Sequence, residues 1–450
     1  MSASIFKAYD IRGLVEGEIT PEFTFATGAA FARFLKTERE PGTVVIGEDM
    51  RPSSPLLADA FSAGVTSQGL DVIRIGLAST DMLYFAAGKL NLPGAMFTAS
   101  HNPAAYNGIK MCLSGARPIG KESGLLTIEK YVHEGSPVAL SQVGVERHQE
   151  MLEDYVTHLL GLVDLTSIRP LKIVIDAGNG MAGHTAPAVF KRLNAEVIEM
   201  YYELDGTFPN HEANPIDPEN LRDLQAAVKK HKADIGLAFD GDADRCFLVD
   251  EKGDLVNPSA LTGLIATREL AKYPGSTIIY NLISSKSVRE VVEESGGTSV
   301  RSRVGHSYIK KLMAETSAVF GGEHSGHFYF RDFWRADSGM LAALYAIAAL
   351  GENNLPLSQL FAPFNRYASS GEINSTVSDA VASMKEIEDQ YSAATGVEID
   401  HLDGLTVTGD TWWFNLRASN TEPLLRLNVE AKSAKEMASL RDALLNTIRA

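Results

Sequence analysis

The chain of 450 residues has only two cysteines, no long apolar run and fewer basic than acidic residues. Cys112 and Cys246 fit neither a zinc-ligand spacing nor a disulfide framework, which suits a reducing compartment. The longest apolar run, at residues 340–350, is too short to span a bilayer and predicts a buried helix. Residues 1–10 lack the apolar core of a secretory signal, so we expect a cytoplasmic location.

The charge balance excludes some classes of partner. Lysine and arginine together number 41 and aspartate and glutamate 57, which gives a formal net charge of −16. This excess of negative charge argues against general binding to nucleic acids or to membrane surfaces. If the substrate is an anion, the chain must therefore gather its own cations locally. The length predicts about three or four domains, at roughly 100–200 residues each.

Three segments share one order of strand-like and helix-like runs, and in each a polar loop follows the third strand-like run. Strands that alternate with helical patterns predict β-α-β units and largely parallel sheets. The pattern changes near residues 365–372, after which we expect a smaller α+β unit with an antiparallel sheet. The three polar loops are at residues 98–103, 240–245 and 321–327. The predicted domains are 1–148, 149–253, 254–366 and 367–450.

The first polar loop, Thr-Ala-Ser-His-Asn-Pro, follows an apolar run at residues 92–97 that predicts a short buried strand. Pro103 has no N–H and biases Asn102 towards an extended conformation, so Ser100 is expected on a sharp turn with its hydroxyl available. Open α/β sheets place ligands beyond the carboxyl ends of their strands. Taken alone, the loop fits a polar turn without chemistry equally well.

The second polar loop carries Asp240, Asp242 and Asp244, spaced by two residues. On a turn that leaves a strand, this spacing lets three carboxylates converge, and oxygen ligands favour Mg²⁺ or Ca²⁺ over zinc. An EF-hand is excluded, because Arg245 occupies the position that needs glycine and the flanks resemble strands. A phosphatase with Asp240 as nucleophile and Asp242 as acid/base is an alternative that this loop leaves open.

Two further loops offer groups that bind sugar phosphates. The sequence Arg-Ala-Ser-Asn-Thr-Glu-Pro at residues 417–423, with Arg426 close behind, suits a phosphate because arginine binds one bidentately. An ordinary polar hairpin fits that sequence equally well. Glu323 and Ser325 offer a carboxylate and a hydroxyl to a sugar, and His327 is suited to hydrogen bonding or proton transfer.

Two basic residues of the first predicted domain are further candidates for the functional site. Lys110 follows Tyr-Asn-Gly at residues 106–108, which predicts a turn that returns Lys110 towards Ser100. Arg12 precedes a glycine in a strand-like start, where a surface charge is the structural alternative.

In this order and spacing, the loops Thr-Ala-Ser-His-Asn-Pro, Asp-Gly-Asp-Ala-Asp-Arg, Gly-Glu-His-Ser-Gly-His and Arg-Ala-Ser-Asn-Thr-Glu-Pro resemble those of the α-D-phosphohexomutases. The resemblance to this phosphoglucomutase/phosphomannomutase family covers essentially the whole chain. It implies a heart-shaped α/β fold of three related mixed α/β domains and a C-terminal α+β domain. The implied reaction interconverts hexose 1-phosphate and hexose 6-phosphate, glucose first and mannose also, through a phosphoserine and a bound hexose 1,6-bisphosphate.

The resemblance also assigns residues. Ser100 would be the phosphoserine and would hold Mg²⁺ together with Asp240, Asp242 and Asp244. The candidates for catalytic proton transfer are Arg12, Lys110 and His327. The implied substrate-binding residues are Tyr9, His101, Arg245, Gly305, His306, Glu323, Ser325, His327, Arg417, Ser419, Asn420, Thr421 and Arg426. The resemblance implies Mg²⁺ and glucose 1,6-bisphosphate as cofactors, hexose phosphates as partners, no nucleic acid or membrane, and a monomer.

Three other functions stay open at this point. Phosphoglucosamine mutases are similar in the first polar loop (residues 98–103, the serine loop), but they typically have glycine where this chain has Asn420. One departure bears on the choice of sugar: some relatives that accept both glucose and mannose phosphates carry a lysine where this chain has Ile283. This difference counts against dual specificity, unless Lys286, three residues further on, takes the place of that lysine. The remaining alternatives are a phosphatase that acts through Asp240 and a sugar-phosphate sensor without catalysis.

Overall fold

The computed structural model describes residues 5–135, 140–392, 394–418 and 424–449, and of His306 only the backbone. The chain divides into two compact units. The first comprises Met1–Pro258 and Ser325–Leu360, and the second comprises Ser259–His324 and Phe361–Ala450. In the described ranges, every helix is too short or too polar to cross a membrane. The finer division into four domains at the boundaries given above stays a prediction.

The N-terminal part is a mixed sheet packed against helices. Its elements are β1 (Ile11–Leu14), α1 (Pro21–Glu38), β2 (Thr43–Glu48), α2 (Ser54–Ser67), β3 (Asp71–Leu77), α3 (Thr80–Leu90), β4 (Gly94–Phe97), β5 (Tyr106–Leu113), β6 (Arg117–Pro118), α4 (Leu126–His133) and β7 (Glu146–His148). The strand order is β1-β5-β4-β2-β3-β7, and β6 pairs with β5 outside this order. Strand β5 runs antiparallel to β1, β4 and β6, whereas β4, β2, β3 and β7 run parallel to one another. Phe61 joins the helices to the sheet, with its ring centroid 5.9 Å from that of Phe31 and 5.4 Å from that of Phe97.

The next part repeats this plan with fewer strands. Its elements are α5 (Leu152–Leu162), β8 (Leu171–Asp176), α6 (Ala182–Phe190), β9 (Ala195–Met200), α7 (Arg222–His231), β10 (Ile235–Phe239) and β11 (Cys246–Val249). The strand order is β11-β10-β8-β9, in which only β11 runs antiparallel. Every residue of β10 and β11 is buried, as expected of strands covered on both faces.

The third part follows the same order of elements. They are α8 (Pro258–Lys272), β12 (Thr277–Asn281), α9 (Lys286–Glu294), β13 (Thr298–Ser302), α10 (His306–Thr316), β14 (Phe320–Gly322), β15 (Phe328–Phe330), β16 (Ala336–Asp337), α11 (Gly339–Gly351) and α12 (Leu357–Phe361). Strand β12 pairs in parallel with β13 and β14, and β15 pairs antiparallel with β16. Every residue of α11 is buried, which confirms the helix predicted at residues 340–350.

The predicted threefold repeat is confirmed by the pairing of the strands. In each part the first strand lies between the other two: β2 between β3 and β4, β8 between β9 and β10, and β12 between β13 and β14. The carboxyl ends of parallel strands meet at one edge of a sheet, so each polar loop leaves its sheet at an equivalent place. The helices α3, α7 and α10, which lie between the second and third strands, were not predicted.

The C-terminal part is the α+β unit that the sequence predicts. Its elements are β17 (Ala368–Thr376), α13 (Ala380–Tyr391), β18 (Glu398–Asp400), β19 (Leu405–Thr408), β20 (Trp412–Ala418), β21 (Leu424–Ala431) and α14 (Ala434–Ile448). The strand order is β17-β21-β20-β19-β18, antiparallel throughout. Its core contains Phe414, Leu416 and Leu427.

A buried carboxylate, Asp81, joins three helices of the first unit. It lies in the first turn of α3 and accepts hydrogen bonds from Ser79, from the Tyr155 hydroxyl of α5 at 2.7 Å and from the Ser338 hydroxyl at 2.6 Å. Ser338 is the N-cap of α11. Burial raises the pKa of Asp81 to about 6, although the three hydrogen bonds act in the opposite direction. Folding therefore favours the protonated form of this group.

We expect Asp81 to make the protein less stable as the pH rises. A carboxyl with a higher pKa in the folded state binds more protons when folded, so its contribution to the unfolding free energy falls between its unfolded pKa and about pH 6. The unfolding free energy of Asp81→Asn, measured by urea unfolding, should therefore rise relative to that of the wild type by about 1 kcal/mol as the pH goes from about 5 to about 7.5. The control is Asp254→Asn, at an exposed aspartate. An equal pH dependence in both variants would contradict the prediction.

Candidate active site

Ser100 lies at the end of β4 in an uncommon backbone conformation. Its φ is 51°, in the left-handed region that non-glycine residues seldom adopt, and the residue is 4% exposed. The Ser100 N–H donates to Thr98 Oγ1 at 2.9 Å. The Ser100 hydroxyl donates to Asp240 Oδ2, also at 2.9 Å. The turn therefore aims Ser100 Oγ at the second polar loop, which lies 140 residues further along the chain.

The three aspartates of that loop converge between β10 and β11. Asp240, Asp242 and Asp244 are each at most 1% exposed, and one oxygen of each lies within 4.8 Å of the others. Asp242 Oδ1 and Asp244 Oδ1 are buried without a hydrogen-bond partner among the described residues. Buried carboxylate oxygens without donors, grouped in this way, fit a hard divalent cation such as Mg²⁺.

Two cations compensate part of this negative charge. Lys110 Nζ donates to Asp242 Oδ2 and to Asp244 Oδ2, each at 2.6 Å. Arg245 donates from Nε to Asp240 Oδ2 at 2.7 Å and from its backbone N–H to Asp240 Oδ1 at 3.1 Å. With all three carboxylates ionised, two cations leave one negative charge unbalanced, which favours the binding of a metal ion.

The pKa values of the aspartates reflect this arrangement. Burial raises the pKa of Asp240, because Arg245 only partly offsets the loss of water. Burial also acts against the ionised form of Asp242, but the ammonium group and hydrogen bond of Lys110 outweigh it and lower the pKa of Asp242. The lysine therefore favours the ionised form of Asp242.

Glycines bring the loops into direct backbone contact. A Cβ atom on Gly241 would lie 2.4 Å from the carbonyl oxygen of Ser100. A Cβ atom on Gly180 would lie 2.7 Å from the carbonyl oxygen of Gly241, which accepts a hydrogen bond from the Met181 N–H at 2.9 Å. The side chains of Ser100 and Asp240 meet because no side chain separates their loops at Gly241.

Other predicted residues surround the serine. Arg12 Nη1 donates to Asn102 Oδ1 at 2.6 Å, and the same guanidinium pairs with Asp10. His101 Nδ1 lies 3.2 Å from Ser100 Oγ. Burial and the nearby Arg245 lower the pKa of His101 to about 2, so this imidazole is neutral at physiological pH.

His327 and Ser325 complete the group in the first unit. His327 Nε2 lies 3.6 Å from Asp244 Oδ1, and His327 Nδ1 lies 3.0 Å from Ser325 Oγ. A β-bridge between Arg245 and His327 fixes this approach. Tyr9 lies on the bend that precedes β1. The predicted residues that contact the serine loop, the aspartates or one another here are Arg12, Ser100, His101, Lys110, Asp240, Asp242, Asp244, Arg245, Ser325 and His327.

The second unit holds Glu323 and the predicted phosphate-binding residues. Glu323 is 1% exposed, and its Oε1 accepts from the Gly305 N–H at 3.1 Å. Arg417 and Arg426 lie opposite each other on β20 and β21, and they approach Glu372 at 3.5 Å and 3.3 Å. Ser419, Asn420 and Thr421 lie outside the described residues, as does the side chain of His306.

One local prediction was wrong, although the residue lies where it was expected. Residues 106–108 do not form a turn that returns Lys110, because they begin the strand β5. Gly108 belongs in this strand, since a Cβ atom there would lie 2.3 Å from the Ile11 carbonyl oxygen of the neighbouring β1. Lys110 thus reaches Asp242 and Asp244 from a strand that pairs with β1 and β4.

Two site residues were missed by the sequence analysis. Thr80 donates from its hydroxyl to Asp242 Oδ2 at 2.7 Å and from its N–H to Asp242 O at 3.0 Å. Arg51 Nη2 donates to the carbonyl oxygen of Ser100 at 2.9 Å. Both residues follow a parallel strand of the first sheet, β3 and β2 respectively, and that position was the signal available in the sequence.

Sequence profiles of one family match the chain from end to end. They are described as phosphoglucomutase/phosphomannomutase alpha/beta/alpha domain I at residues 3–138, domain II at 153–253, domain III at 257–367 and the C-terminal domain at 372–447. A protein from Escherichia coli named phosphomannomutase is 41% identical over 438 residues, which is 95% of each chain. A Xanthomonas campestris pv. campestris protein named phosphohexose mutases is 40% identical over 443 residues, 98% of each chain.

The fold matches solved structures of the same family. A crystal structure of a phosphoglucomutase/phosphomannomutase family protein from Burkholderia thailandensis superimposes with a TM-score of 0.90. The match covers 100% of this chain and 98% of that one, at 32% sequence identity.

We expect Gly241→Ala to separate the serine from the aspartates while the protein still folds. The added methyl group would meet the Ser100 carbonyl oxygen at 2.4 Å, so one of the two loops must move. A displacement of about 1 Å should lower the turnover of hexose phosphates by about 100-fold. The control is Gly42→Ala, where a Cβ atom meets nothing within 4 Å. Steady-state rates and thermal unfolding check both variants, and normal turnover in Gly241→Ala would contradict the prediction.

Proposed function

Because the chain belongs to the phosphoglucomutase/phosphomannomutase family, and is thus a phosphohexomutase, we propose that it interconverts the 1- and 6-phosphates of mannose and of glucose through a phosphoserine at residue 100. One observation carries this proposal. Ser100 Oγ lies 2.9 Å from Asp240 Oδ2, at the edge of three buried carboxylates that fit a divalent cation.

The proposed reaction neither gains nor loses phosphate. Phospho-Ser100 gives its phosphoryl group to the free hydroxyl of a hexose monophosphate. The bond from phosphorus to Ser100 Oγ breaks, a bond to the sugar oxygen forms, and the proton of the sugar hydroxyl ends on Ser100 Oγ. The resulting 1,6-bisphosphate turns end for end and returns its other phosphoryl group to Ser100. Such a transfer depends mainly on alignment and on stabilisation of charge.

Different residues of the first unit are proposed to hold the metal ion, to orient its ligands and to move the proton. Asp240, Asp242 and Asp244 would hold Mg²⁺, which when bound would neutralise charge on the phosphoryl oxygens. Lys110 orients Asp242 and Asp244 through its two hydrogen bonds. His327, 3.6 Å from Asp244, is a candidate for moving the proton, as are Arg12 and Lys110.

The second unit would bind the part of the substrate that does not react. Glu323 is proposed to accept hydrogen bonds from sugar hydroxyls. Arg417 and Arg426 are proposed to bind the phosphate that is not transferred. The Nε atoms of these two arginines are buried without a hydrogen-bond partner among the described residues, which supports an anion as their ligand.

The contacts of Asp240 argue against a phosphatase that uses it as nucleophile. Asp240 Oδ2 accepts hydrogen bonds from Ser100 and Arg245, and Asp240 Oδ1 accepts one from the Arg245 N–H. A carboxylate engaged at both oxygens is a weaker nucleophile than a free one. Ser100 is therefore the better candidate.

The names of the relatives bear on the order of the sugars. Sequence analysis put glucose first, whereas the relative from Escherichia coli is named phosphomannomutase, so we propose mannose as the first substrate to test. Lys286 is a poor substitute for the lysine found in some relatives at the position of Ile283. Its Nζ already donates to the carbonyl oxygen of Asp410 at 2.6 Å.

We expect Ser100→Ala to lower turnover more than about 1,000-fold, because the variant lacks the oxygen that carries the phosphoryl group. Intact-mass measurement should show one phosphoryl group on the wild type and none on the variant. Wild-type turnover should stop with EDTA and return with Mg²⁺. The control is Ser141→Ala, at an exposed serine. Steady release of phosphate by Ser100→Ala would instead favour a phosphatase.

We expect mannose 1-phosphate and glucose 1-phosphate to have kcat/KM values within about 100-fold of each other, because they differ in the orientation of one hydroxyl and a single hydrogen bond contributes about 1–3 kcal/mol. Glucosamine 1-phosphate should be slower than both. The three sugars are compared under identical conditions, with Ser100→Ala as the blank for each. If glucosamine 1-phosphate reacts fastest, the chain is a phosphoglucosamine mutase.

A further inference from the structure

Arg51 is a buried cation whose hydrogen bonds go to the main chain of the serine loop. It is 1% exposed and follows β2. Its Nη1 donates to the carbonyl oxygens of Pro103 at 2.9 Å and Tyr106 at 3.0 Å. Its Nη2 donates to the carbonyl oxygens of Ser100 at 2.9 Å and Asn102 at 2.7 Å. One guanidinium thus binds three carbonyl groups of the loop that contains Ser100 and that of Tyr106, the first residue of β5.

The guanidinium is itself held in place from several directions. Arg51 Nε lies 3.2 Å from Asp49 Oδ2, and both side chains are inaccessible to solvent. The ring of Phe208 lies 5.1 Å from Arg51 Cζ, within the range of a cation–π contact. Gly206 packs closely against the backbone of Arg51, since a Cβ atom on Gly206 would lie 2.6 Å from Arg51 Cα. The planar fork therefore has little freedom to rotate.

This arrangement explains how Ser100 keeps its conformation. A φ of 51° is unfavourable for serine and persists only where the surroundings enforce it. Thr98 holds the N–H of Ser100, and Arg51 holds its carbonyl oxygen. Four carbonyl groups directed at one point would repel one another without a cation, and the planar fork of arginine can donate to all four where a lysine cannot.

We propose that Arg51 is a positioning residue for phosphoryl transfer. It holds the main chain of the serine loop so that Ser100 Oγ stays aimed at Asp240 during turnover. Its four hydrogen bonds from Nη1 and Nη2 go to carbonyl oxygens, so it acts through the peptide of Ser100. The inference rests on the proposed function, in which Ser100 carries the phosphoryl group.

The chain offers a matched control in Arg74. This arginine is 5% exposed and pairs with Glu48 and with Asp59, the latter at 2.7 Å. Arg74→Lys therefore alters a buried arginine on β3, whose side chain pairs with Glu48 and Asp59 outside the serine loop. A loss shared by both variants would reflect damage to the fold, whereas a loss confined to Arg51→Lys would reflect the serine loop.

The test combines steady-state kinetics with single turnover. Arg51→Lys, Arg74→Lys and the wild type are assayed for kcat and KM on mannose 1-phosphate with Mg²⁺. Rapid quench and intact mass then give the rate at which dephosphorylated enzyme takes a phosphoryl group from hexose 1,6-bisphosphate. In Arg51→Lys, we expect kcat and this rate to fall about 100-fold. KM should change less than about threefold, because Arg51 holds the nucleophile and not the substrate. Arg74→Lys should stay within about twofold of the wild type per folded molecule.

A second variant covers the case in which Arg51→Lys does not fold. Phe208→Leu removes the ring beside the guanidinium and leaves its four donations in place. It should lower kcat about three- to tenfold, with KM unchanged. If Arg51→Lys folds, the test uses Arg51→Lys and its control and does not need Phe208→Leu. If Arg51→Lys does not fold, an unchanged kcat in Phe208→Leu overturns the proposal.

The possible failures can be told apart. If the wild type never takes a phosphoryl group on Ser100, the proposed function fails, and this inference fails with it. If the wild type does so and Arg51→Lys does so at the same rate, only the role of Arg51 is overturned. An equal loss of kcat in Arg74→Lys, or a rise of KM in Arg51→Lys as large as the fall in kcat, overturns it as well.

Discussion

Three carboxylates buried within reach of one another repel, and the site can exist only because other groups offset that repulsion. Lys110 and Arg245 supply two positive charges, and each donates hydrogen bonds to the aspartates. With all three carboxylates ionised, one negative charge remains, which favours the binding of a divalent cation. The groups that keep Asp240, Asp242 and Asp244 folded together thus also set the charge of the cluster.

The repeated sheet plan decides where these charges can meet. In each repeat the first strand is central, so the loop after the third strand leaves the sheet at an equivalent edge. Two such loops then approach through main-chain atoms, at Ser100 on one side and Gly241 on the other. Distance along the chain is unimportant in this arrangement. Close approach of the backbones is what converts two ordinary strand ends into one site.

Much of this could be predicted from the sequence, because strands and their ends leave a local signal. The apolar runs before Ser100 and Asp240 placed both residues at strand ends, and the structure agrees. The helix α3 was missed since nearly all of its residues are buried, which leaves no amphipathic stripe to recognise. Arg51 was missed because its partners are carbonyl groups, which every residue has. A contact to the main chain leaves no pattern in the residue types, so the sequence offered only the position of Arg51 after β2.

The left-handed backbone of Ser100 has a consequence for how this enzyme can change. Threonine carries the same hydroxyl and is a frequent replacement for serine elsewhere. A β-branched residue at a φ of 51° is strongly disfavoured, so threonine at this position would push the backbone out of its present shape. In directed evolution, residue 100 is thus restricted by the shape of its peptide, and a single substitution of threonine for serine is strongly disfavoured there.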